Sequence, residues 1–257
     1  VIRFRSLESR IVTLFLVLIV VVQVLGLFVI QRGIDSNARS SIAAELNNGA
    51  KVFKRLLDQN AQSLRFGARL LARDTAFVAA IGNNDDGDRA TIESALANSG
   101  RRIKASLTML IGADRKISAS TNSAQSAGLE KLVVSMLDKA EQSDGANGIA
   151  IVERRPYQIV VMPVKAPITI GWVVMAFPID RPLASDMREV SSLHTTIVTH
   201  DARDGWLAVG SSFLAPSVGT LVAQLPAAPQ LITGPFDLNI DGSKYSARLL
   251  PIGEDNG

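Results

Sequence analysis

Arg154 and Arg155 end one apolar stretch of this 257-residue chain, Tyr157 opens the next, and Trp172 lies midway along a third. If these stretches are neighbouring strands, guanidinium and aromatic groups converge on one concave face suited to a small carboxylate. Lys104, just before another apolar stretch, adds a further cation. The same residues also read as a solvated hairpin and a core tryptophan, because strand register is not fixed by sequence.

Other chemistry finds little to work with. The chain has no cysteine, which excludes disulfides, thiolate zinc sites, iron–sulfur clusters and a thiol nucleophile. His194 and His200 lie six apart without helical spacing or a third ligand, so they read as ordinary histidines. Asn83-Asn84-Asp85-Asp86-Gly87 followed by Glu93 has the outline of a calcium loop, but its first ligand position falls on Gly82. A polar loop with a helix cap at Asp88 explains it better. No G-x-S-x-G, Walker A or G-x-G-x-x-G pattern occurs. The sequence therefore predicts no enzyme, no metal site and no cofactor within these residues.

Charge narrows the partners. Lys and Arg number 27 against 24 Asp and Glu, and the excess is concentrated at the N-terminus in Arg3, Arg5 and Arg10 against Glu8. The body is nearly neutral, which argues against a nucleic-acid surface. Ile11–Ile30 carries no charge over twenty residues, enough to span a bilayer core of about 30 Å. The run leads straight into a helical pattern at Gln31-Arg32-Gly33-Ile34 without a small-residue cleavage site, so it is expected to be an uncleaved anchor. The arginines before it place the N-terminus in the cytoplasm.

From Gly33 to Ala80 there is no proline, and apolar residues at Ile42, Leu46, Phe53, Leu57, Leu64 and Leu71 predict a long amphipathic stalk helix. Its membrane-proximal half, through Ile42, Leu46, Phe53 and Leu57, is expected to pair with its twin in a homodimer. A second helix, Arg89–Ala97, ends at Asn98-Ser99-Gly100. Strands at 106–111 and 116–120, a helix at 128–142, and strands at 148–153, 157–164 and 169–177 then make a five-stranded antiparallel unit.

After a helix opened by Asp180 and Pro182 the pattern repeats, with strands at 195–199 and 206–209, a helix at 213–225 and a hairpin around Asp241-Gly242-Ser243. The second unit is one strand short, and Asp255-Asn256-Gly257 reads as a turn whose outgoing strand is not in the sequence. With an N-terminal Val, this predicts a fragment of a longer polypeptide. The fold class is α+β, divided into a tail 1–10, membrane helix 11–30, stalk 31–80, distal unit 81–180, connecting helix 181–193 and a truncated proximal unit 194–257.

An anchor, a long outgoing helix and two tandem α+β units resemble the extracytoplasmic double Cache (PAS-like) sensor regions of bacterial transmembrane receptors. Ile170-Gly171-Trp172-Val173-Val174-Met175-Ala176-Phe177-Pro178-Ile179-Asp180, followed by Leu183-Ala184, resembles the strand running into the connecting helix in sensory regions of GGDEF/EAL diguanylate cyclases and phosphodiesterases. The resemblance implies periplasmic sensor domains on the inner membrane, homodimerisation, a small-molecule ligand, and an output in cyclic-di-GMP turnover. No GGDEF, EAL or kinase histidine motif is in the sequence. The tyrosine, arginine, tryptophan and aspartate set of amino-acid-binding Cache domains is not matched, since Tyr157, Tyr245, Trp172 and Trp206 are widely scattered. The expected role is ligand-sensing input; an anchored periplasmic scaffold without signalling output is the alternative. Expected ligand contacts are Arg154, Tyr157, Trp172 and Lys104.

Overall fold

The computed structural model describes the backbone of residues 7–83, 86–227 and 234–252, and their side chains apart from 7–13, 26–37, 83, 86–88 and 124. The Asn83–Gly87 loop, the Asp88 cap and the final Asp255-Asn256-Gly257 lie wholly or partly outside these residues. The chain divides into two compact units, 1–48 and 49–257.

The described residues of the first unit belong to helix α1 (Leu7–Ala72). Its described apolar side chains from Leu14 to Leu25 are 47–70% exposed on every face of the helix. Among the described residues, no helix is long and apolar enough to cross a membrane.

In the second unit, α1 ends at Ala72, earlier than the expected Ala80. Asp74 interrupts it by accepting the Phe77 N–H at 2.9 Å, capping α2 (Thr75–Asn83). Helix α3 (Asp86–Ile103) runs through Asn98-Ser99-Gly100, where a stop was expected. Gly100 serves contact instead of termination: a Cβ there would stand 2.9 Å from Thr108 Cγ2 on the next strand.

Strands β1 (Leu107–Gly112), β2 (Ile117–Ser120), β3 (Ala146–Val152), β4 (Arg155–Lys165) and β5 (Thr169–Pro178) form one antiparallel sheet in the order β2-β1-β5-β4-β3. Helix α4 (Ser123–Gln142) connects β2 to β3. The near-continuous apolar runs of β4 and β5 follow from burial on both faces. Val160, Met162, Val164, Val173 and Met175 face Leu64, Ala68 and Leu71 of α1, Phe77 of α2 and Leu96 of α3. The alternate residues, Ile159, Val161, Trp172, Val174 and Ala176, face Leu129, Val133, Leu137 and Ala140 of α4.

Helix α5 (Arg181–Ser191) follows, with Asp180 as its N-cap residue. The remaining elements are β6 (Thr196–Asp201), β7 (Gly205–Ser211), α6 (Ala215–Ala223), β8 (Phe236–Ile240) and β9 (Ser243–Ala247). A sheet like the first but one strand short was expected. Instead β6–β7 and β8–β9 are separate two-stranded ladders. In the first sheet β5 lies between β1 and β4, and no described strand takes that joining place between the two later hairpins. Phe53, expected on a dimer seam, is 9% exposed and packs with Leu57 against Ile179, Leu183, Met187 and Ile197 of its own chain.

Candidate functional site

The four expected ligand contacts are not brought to one face. Tyr157 and Trp172 both lie in the layer between the sheet and α4, and are 5% and 4% exposed. Tyr157 is opposite Pro178 and Trp172 opposite Pro163, so six residues of the β4–β5 ladder, about 20 Å, separate them. Lys104 is exposed at the end of α3, on the side of the sheet covered by α1.

Among the described residues, the α4 layer is apolar with two unmet polar atoms. Trp172 Nε1 is buried without an acceptor, and Gln125 Oε1 is buried without a donor. Gln125 Nε2 reaches Tyr157 Oη at 3.5 Å, the outer limit of a hydrogen bond. A buried polar group without a partner costs about 1–3 kcal/mol. Gln125 was missed because α4 was expected to start at Gly128. The pattern Asn122-x-x-Gln125 marks the true start, with the Gln125 N–H donating to Asn122 Oδ1 at 3.3 Å. Helix α4 is held at its other end by an ion pair from Arg115, in the β1–β2 turn, to Asp138.

Arg154 is occupied elsewhere. The β3–β4 turn places Glu153 at φ 48° and Arg154 at φ 63°, the left-handed pair of a tight hairpin that favours Asn-Gly. From there Arg154 Nη2 donates to Gly205 O at 2.7 Å, and Nη1 lies 3.3 Å from Asp204 Oδ2. Thr199 Oγ1 donates back to Arg154 O at 2.9 Å. The tip of one hairpin is therefore clasped to the tip of β6–β7. These partners lie about fifty residues on, and only the Asp204-Gly205 turn signal hinted at them.

Beside this clasp, Asp180 joins β5 to α5. Its carboxyl is pushed above the usual range by burial, against the pull of its own backbone and of Arg155, and Oδ1 has no partner. Strand β7 passes so close that a Cβ on Gly210 would overlap the backbone of Asp180 and Arg181. The histidines pack as rings: His194 stacks on Phe213 at 3.9 Å between centroids, and His200 meets Trp206 edge-on at 4.8 Å.

Residues 39–257 match the family described as a double sensory domain of two-component sensor kinases. No curated protein matches the sequence. Among solved structures, the periplasmic domain of LuxQ from Vibrio cholerae is similar at 13% identity and TM-score 0.52, over 78% of this chain and 95% of that one. The sensory domain of the Campylobacter jejuni chemoreceptor Tlp3 with isoleucine bound follows at 10% identity and TM-score 0.49, over 81% and 86%. The sensor domain of the V. cholerae histidine kinase DctB is 14% identical with TM-score 0.48, over 74% and 79%.

Proposed function

Because this chain belongs to the family of double sensory domains of two-component sensor kinases, we propose that it is the ligand-sensing input region of a membrane signalling protein. The small molecule is held between the five-stranded sheet and α4. The observation that carries this reading is Trp172 Nε1, a donor 96% buried by its residue's exposure and left without an acceptor. A ligand carbonyl or carboxylate meeting that N–H would recover the cost of leaving it unpaired. Arg154 acts as the connection to the β6–β7 hairpin, and Lys104 stands apart from the ligand.

The route outward follows from the packing. A ligand that favours one position of α4 shifts the population of sheet arrangements. The Arg154 clasp and the Asp180–Gly210 crossing join that sheet to β6–β7, and Ile197 of β6 shares a core with Phe53 of α1. The apolar, exposed side chains of residues 14–25 support a bilayer span at 11–30, with a cytoplasmic N-terminus and periplasmic sensor units on the inner membrane. With Phe53 and Leu57 taken up by their own chain, the homodimer seam reduces to Ile42, which is 40% exposed, and Leu46. The family description favours a kinase output. The Ile170–Asp180 resemblance supports cyclic-di-GMP turnover as the second reading.

A metabolite panel read by thermal shift tests the proposal. A ligand at a hundred times its dissociation constant stabilises the fold by about 2.7 kcal/mol. Every hit should weaken in Trp172→Phe; hits that survive it unchanged place the ligand elsewhere.

A further inference from the structure

On the opposite side of the sheet from α4, Gln59, Gln62, Ser63 and Phe66 of α1 and Arg102, Ile103 and Lys104 line an open groove of about 500 Å³. We propose that this groove binds a small organic anion with an aromatic or aliphatic portion, separately from the sensed ligand and independently of that reading.

Three observations support it. The lining holds two cations, three neutral hydrogen-bonding side chains and two apolar ones, and no carboxylate. The neighbouring arginines are engaged, Arg65 with Asn147, Arg69 with Asp144 and Arg101 with Asn98, whereas among the described residues Arg102 and Lys104 have no ion pair or side-chain hydrogen bond. Phe66 is 70% exposed at the rim, a large ring left in water beside those cations.

The backbone adds a fourth. The Lys104 N–H donates to Arg101 O at 3.3 Å and the Ala105 N–H to Gly100 O at 2.9 Å, the paired bonds of a Schellman cap. Lys104 fills the left-handed position of that cap at φ 58°, where glycine is the unstrained choice. Offsetting the helix dipole does not require a lysine there, since Arg101 and Arg102 already stand in the last turn. The cap fixes the Lys104 backbone at the edge of the groove that its side chain lines. At Gly67 a Cβ would come 2.7 Å from Ile103 Cδ1, so α1 and the end of α3 meet closely.

Calorimetric titration of the whole protein with phenyl phosphate, and in parallel with inorganic phosphate, tests the groove. Phenyl phosphate should bind about tenfold more tightly than phosphate, through Phe66 and Ile103. Lys104→Gly should weaken it at least about tenfold while raising the melting temperature, and Arg102→Gln should weaken it similarly. Trp172→Phe should leave it unchanged, which keeps this test separate from that of the sensing layer. No binding at about 10 mM phenyl phosphate, or equal affinity in Lys104→Gly and Arg102→Gln, overturns the proposal.

Discussion

Arg154 donates from Nη2 to the carbonyl oxygen of Gly205 at 2.7 Å, across fifty-one residues of sequence, and binds the strained β3–β4 turn of the five-stranded sheet to the tip of the β6–β7 hairpin. Two left-handed non-glycine residues make that turn costly, so its geometry is secured by what it holds. Arg154→Ala should lose about 2 kcal/mol in urea unfolding, as expected for a charge-assisted bond to a part-buried carbonyl. Thr199→Val should lose about 1 kcal/mol. The Arg154–Asp204 pair itself should couple by less than about 1 kcal/mol in a double-mutant cycle, since Asp204 is 67% exposed. A neutral Arg154→Ala would mean the five-stranded sheet and the β6–β7 hairpin are not joined here.

Asp180 gives a pH dependence of definite sign. Its folded carboxyl titrates above its unfolded value of 3.8, so the folded state holds the extra proton between the two. Stability therefore falls as pH rises from the unfolded value through the raised one. Asp180→Asn should melt higher than the parent near neutral pH, with the advantage shrinking as pH falls toward about 4. A constant difference across that range would leave Asp180 outside the linkage.

Two glycines with opposite surroundings should respond with opposite signs. At Gly210 a Cβ meets backbone, which cannot yield as a side chain can, so Gly210→Ala should cost about 3 kcal/mol or more. At Gly219, inside α6 with nothing within 4 Å, alanine should add about 0.5–1 kcal/mol. Chemical denaturation of both variants checks the pair.

The five-stranded sheet was legible because β4 and β5 carry unbroken apolar runs bounded by turn residues, and a run of that length buried on both faces has few alternatives. The helix break at Asp74 was harder to see, since no proline marks it and a single Asp-Thr pair supplies the cap. Gly100 and Gly128 looked like helix ends; each is a close approach, to Thr108 and to Val152, that only the tertiary fold defines. Trp172 and Tyr157 were found by residue type, and their shared face with their separation along the ladder depends on register. Arg154 was found too, but its partner is a turn in another hairpin, which no local pattern reports.

Trp172→Phe tests the account most directly, by unliganded melting and by titration of the best ligand from the panel in the same variant. Phenylalanine keeps most of the apolar bulk and removes the buried N–H that lacks an acceptor. Without ligand, the variant should be as stable as the parent or up to about 1 kcal/mol more stable. With ligand, its affinity should fall at least about tenfold. A variant that melts well below the parent and binds the ligand with unchanged affinity would make Trp172 a packing residue and contradict the sensing layer proposed between the sheet and α4.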